Sequence, residues 1–96
     1  MYTSSISAYS VIRLPGRVDS FIAPFFKKDL QQKIQPGVVL VIDMAKTKFF
    51  EPEAASVLWE GVLESNRAGA KIVAKGINEQ VKIVLERSGL LPHLQQ

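Results

Sequence analysis

The feature that most constrains the fold is an unbroken apolar run, Val38-Val39-Leu40-Val41-Ile42, which ends at Asp43. The run has the length and the branched composition of a β-strand, and it is far shorter than the roughly 18 residues that a membrane-spanning helix needs. Strands that are apolar at every position are typical of parallel sheets with helices on both faces. The run therefore predicts a buried strand at the centre of a layered α/β domain.

A helix is predicted before this strand. Its apolar residues recur every four positions and form one stripe, namely Ile22, Phe26, Leu30 and Ile34. Asp19 or Ser20 is expected to cap it, because short polar side chains accept hydrogen bonds from the free N–H groups of a first helical turn. Pro24 suits only that first turn, and Pro36-Gly37 ends the helix.

A second helix is predicted after a short loop, Met44 to Phe50. Glu51-Pro52-Glu53 marks its start, since proline suits the first helical position and carboxylates there complement the positive end of the helix dipole. Gly69 marks its end, where a left-handed residue is favoured. Its apolar face comprises Ala55, Leu58, Trp59, Val62 and Leu63.

The two ends of the chain complete an alternating pattern. Extended segments are predicted at the amino terminus, around Ile6 and Ala8 and over Tyr9 to Leu14. Lys71 to Ala74 is a further buried strand, and Asn78 is expected to cap a third helix that Gly89 stops. Leu90 to Leu94 is predicted to add a last short edge segment.

Together these elements predict a single α/β domain over residues 1–96, in the order β-β-α-β-α-β-α. Helices that alternate with buried strands imply right-handed crossovers and parallel pairing. We therefore expect a mixed, mostly parallel β-sheet packed with helices, in which any antiparallel strand lies at the amino-terminal edge.

Composition excludes several classes of protein. The 96 residues include no cysteine, which excludes a disulfide scaffold, a thiolate metal site and a cysteine nucleophile. Twelve basic and nine acidic residues give a net charge of +3, too small to indicate nucleic-acid binding. The amino terminus lacks the basic and apolar regions of a signal peptide, so a cytoplasmic location without direct membrane insertion is expected.

Few residues suggest catalysis, and no cofactor is expected. His93 is the single histidine and is interpreted as a solvated residue near the carboxyl terminus. Asp43, Glu51 and Glu53 can be interpreted as a magnesium site of a small metal-dependent enzyme, or as a strand end and a helix start; the second interpretation is favoured.

The loop before the second helix mixes basic and aromatic residues. Lys46 and Lys48 flank Thr47, and Phe49-Phe50 follow at once, a pattern that also occurs in proteins that bind single-stranded nucleic acid. Alternation instead predicts that the lysines point outward while one phenylalanine packs under the next helix. A nucleic-acid partner is therefore not expected.

The order of the segments resembles the STAS domains, the family of bacterial anti-sigma factor antagonists. Leu14-Pro15-Gly16-Arg17-Val18-Asp19 resembles the family's L-x-G-x-(L/V)-D segment. The central strand followed by Met44, Phe49-Phe50 and a helix start resembles its central signature. Gly69-Ala70-Lys71-Ile72-Val73, then Val81 to Leu85 and Ser88-Gly89-Leu90, extend the resemblance, which runs from about Val11 to Leu94.

The resemblance implies a regulatory switch that this chain lacks. In the family, an Asp-Ser-Ser-Gly-like segment begins the helix, and a partner kinase, which is also the anti-sigma factor, phosphorylates its second serine and thereby breaks the complex. Matching Phe49-Phe50 to the family's apolar pair puts Glu51, Pro52, Glu53 and Ala54 at those four positions. Glu53 then either imitates the phosphorylated state or simply favours the helix start. Thr47 and Ser56 are the nearest remaining hydroxyls.

The resemblance therefore predicts a non-enzymatic domain that binds another protein. The candidate partners are an anti-sigma factor with serine kinase activity and a phosphatase. The expected contact surface comprises Arg17, Asp19, Lys46, Thr47, Lys48, Phe50, Glu51, Pro52, Glu53 and Ala54. The alternative within the family is an interaction subunit of a transporter or of a scaffold assembly.

Overall fold

A computed structural model describes residues 8–94, and it confirms the predicted single α/β layout. The strands are β1 (Ala8–Arg13), β2 (Arg17–Val18), β3 (Val38–Asp43), β4 (Phe49–Phe50) and β5 (Lys71–Lys75). The helices are α1 (Ala23–Lys33), α2 (Pro52–Ala68), α3 (Glu79–Arg87) and α4 (Leu91–Leu94). Ile6, part of the first predicted segment, lies outside the described residues.

All strand pairs in the described part of the chain are parallel. The main sheet has the order β1-β3-β5, and Leu40 of β3 pairs with Ser10 on one side and Ile72 on the other. A second pair, β2 with β4, places Arg17 beside Phe49 and Val18 beside Phe50. The sequence reading missed both of these short strands, because two residues are too few to show a periodicity.

The hydrophobic core lies on one face of the main sheet. Leu40 and Ile42 are fully buried there, and Ile12 and Ile72 are 4% and 3% exposed. The alternate residues of β3, Val39 and Val41, are only half-buried and lie outside the core cluster. The expectation that helices cover both faces is therefore wrong within residues 8–94. A central strand is partly buried by the strands on either side, so an apolar run does not require a helix on each face.

The helix ends follow the predicted residues, with one correction. Gly69 ends α2 in the left-handed conformation at φ 76°, and the Asn78 side chain caps α3 by accepting a hydrogen bond from the Val81 N–H. Pro24 lies in the first turn of α1 as predicted, but the N-cap residue of that helix is Ile22, without a side-chain cap. Asp19 instead acts in the turn before it.

The carboxyl-terminal segment corrects another prediction. Leu91–Leu94 forms a short helix rather than an edge segment, and both Leu90 and Leu94 are fully buried. A spacing of four residues places two side chains on the same side of a helical turn, which explains this burial. No helix in residues 8–94 has the length and apolar character needed to cross a membrane.

Candidate functional site

The carboxyl ends of β1, β3 and β5 lie at the same end of the parallel sheet, and the loops that follow them form the candidate site. We call this region the loop end and define it as residues 14–22, 44–54 and 76–78. Loops at this end of a parallel sheet are the usual place for contacts in α/β domains. Ten predicted contact residues all fall within this region.

Backbone hydrogen bonds join the loops to one another. The Met44 N–H donates to the Lys75 carbonyl at 2.9 Å, and the Lys48 N–H donates to the Gly16 carbonyl at 2.8 Å. These bonds connect the segment after β3 with the segment after β1 and with the last residue of β5. The loop end is therefore a braced surface rather than three independent loops.

Thr47 lies at the centre of this bracing. Its side chain is fully buried, and its hydroxyl donates to the Pro15 carbonyl at 2.9 Å. Its own carbonyl accepts a hydrogen bond from Asn78 Nδ2 at 2.7 Å, while Asn78 Oδ1 accepts from the Val81 N–H at 2.9 Å. The expectation that Thr47 contacts a partner is corrected, because its side chain is enclosed and supports the exposed lysines on either side.

The alternating residues around Thr47 separate into two sets. Lys46 and Lys48 are exposed, as alternation predicted. Phe50 is 4% exposed and packs edge-on against Phe26, with ring centroids 6.4 Å apart. Phe50 therefore belongs to the core and does not offer its side chain to a partner, which corrects its predicted contact role.

Phe49 occupies the outer side of β4. Its ring is 51% exposed, and the Arg17 guanidinium carbon lies 4.6 Å from the ring centroid. Such a cation–π contact is worth about 0.5–1 kcal/mol at an exposed site and orients both side chains. The sequence predicted Arg17 as a contact residue but did not predict its pairing with Phe49, because the β2–β4 pairing that joins them was not recognised.

The start of α2 provides the acidic part of the loop end. Pro52 is the first helical residue and Glu53 lies exposed in the first turn, as predicted. Glu51 occupies the N-cap position with extended backbone and makes no side-chain capping hydrogen bond. Ala54 is fully buried, so its predicted contact role is corrected to one of close packing beneath the exposed turn.

The Asp19 side chain forms hydrogen bonds within its own turn. Its Oδ1 accepts hydrogen bonds from the Phe21 and Ile22 N–H groups, both at 3.1 Å. Its carboxylate therefore holds the turn between β2 and α1. The two phenylalanines that follow, Phe21 and Phe25, are 75% and 61% exposed with ring centroids 6.1 Å apart, a feature that the sequence reading did not single out.

The carboxylates proposed as a metal site do not gather into one. Among the side chains of residues 8–94, no group of three or more histidine, aspartate or glutamate residues is placed to hold a metal ion. Asp43 instead accepts a hydrogen bond from the Ala45 N–H at 3.0 Å, and Glu51 and Glu53 belong to the helix start.

His93, the other candidate for chemistry, is exposed as predicted, but it is not free of contacts. Its ring lies beside Trp59, with centroids 5.1 Å apart. Trp59 is half-buried and donates from Nε1 to the Ser88 carbonyl at 2.6 Å. The histidine therefore covers a tryptophan that anchors α2 to the end of α3.

A single parallel α/β domain with a braced loop end is a scaffold for binding, and the comparisons identify its family. The STAS domain model matches residues 3–95, so this chain belongs to the STAS domain family. STAS domains are protein-interaction domains and are generally non-enzymatic.

One solved structure of the same fold is the sulfate transporter family protein from Wolinella succinogenes, with a TM-score of 0.78. The match covers 90% of this chain and 70% of that chain at 17% sequence identity, which shows a shared fold. No curated protein matches the chain.

Proposed function

We propose that this STAS domain is a regulatory module that binds another protein through its loop end, in the manner of an anti-sigma factor antagonist. The exposed contact residues are Arg17, Lys46, Lys48, Pro52 and Glu53. Glu51 and Asp19 contribute charge beside them, and the buried Thr47, Phe50 and Ala54 hold the surface in shape.

The observation that carries this proposal is the position of Glu53. The residue lies exposed in the first turn of α2, directly after the N-cap Glu51 and Pro52. In the family resemblance, this helix start is where the partner reads the presence or absence of a phosphate. A fixed carboxylate there gives the site a permanent negative charge that no kinase or phosphatase can change.

The proposed mechanism is docking controlled by charge. Glutamate has one negative charge and two oxygens, whereas phosphoserine has about −1.5 to −2 and three. The imitation is therefore partial, and the helix start itself favours the carboxylate by about 0.3–1 kcal/mol. A partner that recognises the phosphorylated form of a relative would bind this domain constitutively, although more weakly.

The test restores the missing hydroxyl. Glu53→Ser is incubated with ATP and the serine kinase of the partner pair, and phosphate is located by mass spectrometry. Glu86→Ser is the matched control, since Glu86 is also exposed but lies on α3. We expect phosphate on the first variant and none on the control; a kinase proven active on its natural partner that leaves Glu53→Ser unmodified would contradict the assignment.

A second candidate function is an interaction domain of a transporter assembly. The observation that favours it is the fold shared with the sulfate transporter family protein. Affinity capture with the wild-type domain and Glu53→Ser distinguishes the two candidates. Recovery of an anti-sigma factor, kinase or phosphatase supports the first, and recovery of a membrane transporter supports the second. Both candidates place the domain in the cytoplasm.

A further inference from the structure

The main sheet has a second face that the core does not use. Successive side chains of a strand point to opposite faces, and the strand register therefore defines which residues share this side. We call it the outer sheet face. Its three rows are Tyr9–Val39–Lys71, Val11–Val41–Val73 and Arg13–Asp43–Lys75.

The middle of the outer sheet face is apolar and partly open. Tyr9 is 72% exposed and Val11 is 37% exposed, Val39 and Val41 are half-buried, and Val73 on the edge strand β5 is 5% exposed. All five lie outside the core cluster that fills the opposite side. Within residues 8–94, the apolar band is thus open along β1, half-buried along β3 and buried at Val73 on β5.

Basic residues surround this band. Arg13, Lys71 and Lys75 are exposed and occupy three of the four corners of the face, while Tyr9 occupies the fourth. Asp43 is the one acidic residue, and it lies 4.0 Å from the Arg13 Nε, so the face has three positive charges against one negative. This excess of positive charge favours a partner that has acidic groups around an apolar surface.

A second copy of this chain does not meet that requirement. A two-fold axis parallel to the strands would place Lys75 against Arg13 of the other copy. An axis in the sheet plane and perpendicular to the strands would place Lys71 against Lys75. An axis along either diagonal of the face would place at least one basic corner against a basic corner of the other copy. Each two-fold arrangement centred on the face therefore opposes like charges, which disfavours a close contact.

A flat membrane surface fits the shape less well than a helix. Valine side chains are short, whereas lysine and arginine side chains extend several bonds further and can reach past the apolar band. Three strands at about 4.8 Å spacing make a face about 10 Å wide, which matches the 10–12 Å diameter of an α-helix. A helix of this width can lie on the band while its flanking acidic side chains meet the basic corners, which a planar surface contacts on only one level.

We propose that the outer sheet face binds an amphipathic helix of a partner protein, with the helix's apolar stripe on the valine band and acidic residues beside the basic corners. This surface borders the loop end at its Arg13–Asp43–Lys75 row, whereas its valine band lies on the strands themselves. The domain therefore has two adjoining protein-binding surfaces, and the second does not include Glu53.

The experiment uses the full chain and a defined probe. The probe is a fluorescein-labelled peptide of about 18 residues with leucines at helical spacing and glutamates on both sides of the leucine stripe. A control peptide replaces each glutamate with lysine. Binding is measured by fluorescence anisotropy at low salt, and the contacted residues are located by methyl and amide NMR shifts.

Two protein variants with the same change in net charge distinguish an effect of the outer sheet face from an effect of the overall charge. Lys71→Glu/Lys75→Glu reverses two basic corners, and Lys28→Glu/Lys82→Glu reverses two exposed lysines on α1 and α3. We expect the first pair to weaken binding of the acidic peptide about tenfold, and the second to change it less than about twofold. Shifts should centre on Tyr9, Val11 and Val41, and amide spectra verify that both variants are folded.

Several results would overturn the proposal. Equal binding of both peptides, no saturable binding of the acidic peptide, or shifts confined to the loop end would each refute it. Sedimentation with anionic vesicles that Lys71→Glu/Lys75→Glu abolishes would assign the face to a membrane instead. A dimer broken by Tyr9→Glu would assign it to a second copy, and NMR contacts between residues 1–7 and the valine band would assign it to this chain's own amino terminus.

Discussion

The sharpest test of the braced loop end is the replacement of Gly76 by alanine. Gly76 follows β5 with φ +74°, and a Cβ added there would lie 2.7 Å from the Ala45 nitrogen and 2.8 Å from its Cα. Both atoms belong to the backbone, which cannot rotate away as a side chain does. Gly76→Ala must therefore displace the loop that carries Lys46 and Lys48.

Gly69→Ala is a matched control. Gly69 has nearly the same backbone angle, φ +76°, but an added Cβ would have nothing within 4 Å. The left-handed conformation costs an alanine about 1–2 kcal/mol at either position. Only Gly76→Ala adds the displacement of packed atoms, which is worth about 1–3 kcal/mol. We therefore expect losses of about 1–2 kcal/mol for Gly69→Ala and about 2–5 kcal/mol for Gly76→Ala.

Urea unfolding followed by circular dichroism measures both losses. The free energy of unfolding is compared at constant m-value, so that the difference reports stability rather than a change in the unfolded state. NMR of Gly76→Ala should show shifted amide signals across residues 44–48, whereas Gly69→Ala should leave them in place. Equal unfolding midpoints for the two variants, with unchanged loop signals, would refute the close contact between Gly76 and Ala45.

Three further predictions concern single hydrogen bonds, each tested by the same unfolding measurement. Asn78→Asp keeps an acceptor for the α3 cap but loses the donor to the Thr47 carbonyl, so it should lower the free energy of unfolding by about 1–2 kcal/mol. Asn78→Ala loses both bonds and should lower it by about 1 kcal/mol more. Equal losses for the two variants would contradict a double role for Asn78. Thr47→Val leaves the Pro15 carbonyl without its hydroxyl donor and should cost about 1 kcal/mol, and an unchanged midpoint would argue against that bond. Trp59→Phe removes the donor to the Ser88 carbonyl and should cost about 1 kcal/mol or more, with a wild-type stability counting against the anchoring role.

Much of the fold was predictable because several elements are encoded by neighbouring residues. Pro52 within Glu51-Pro52-Glu53 correctly placed the start of α2, and Gly69 correctly placed its end. Asn78 was correctly predicted to cap α3. Each of these signals acts within one helical turn, where a proline ring, a left-handed residue or a short amide side chain has a defined effect on the backbone.

The candidate site was predictable only in part. Alternation correctly pointed Lys46 and Lys48 outward and placed one phenylalanine inside, since that pattern needs no knowledge of distant residues. The burial of Thr47 was not predictable in the same way. It depends on Pro15 and Asn78, which lie about 30 positions away in the sequence on either side.

The amino-acid order alone determined where α2 begins and ends, which residue caps α3, and which strand is central. These features depend on propensities and spacing within a few residues. Tertiary structure decided which polar groups are enclosed, which aromatic ring lies under Arg17, and which face of the sheet stays open. Those outcomes depend on the parallel pairing of strands far apart in the chain, which sets the neighbours of each side chain and has no local signal.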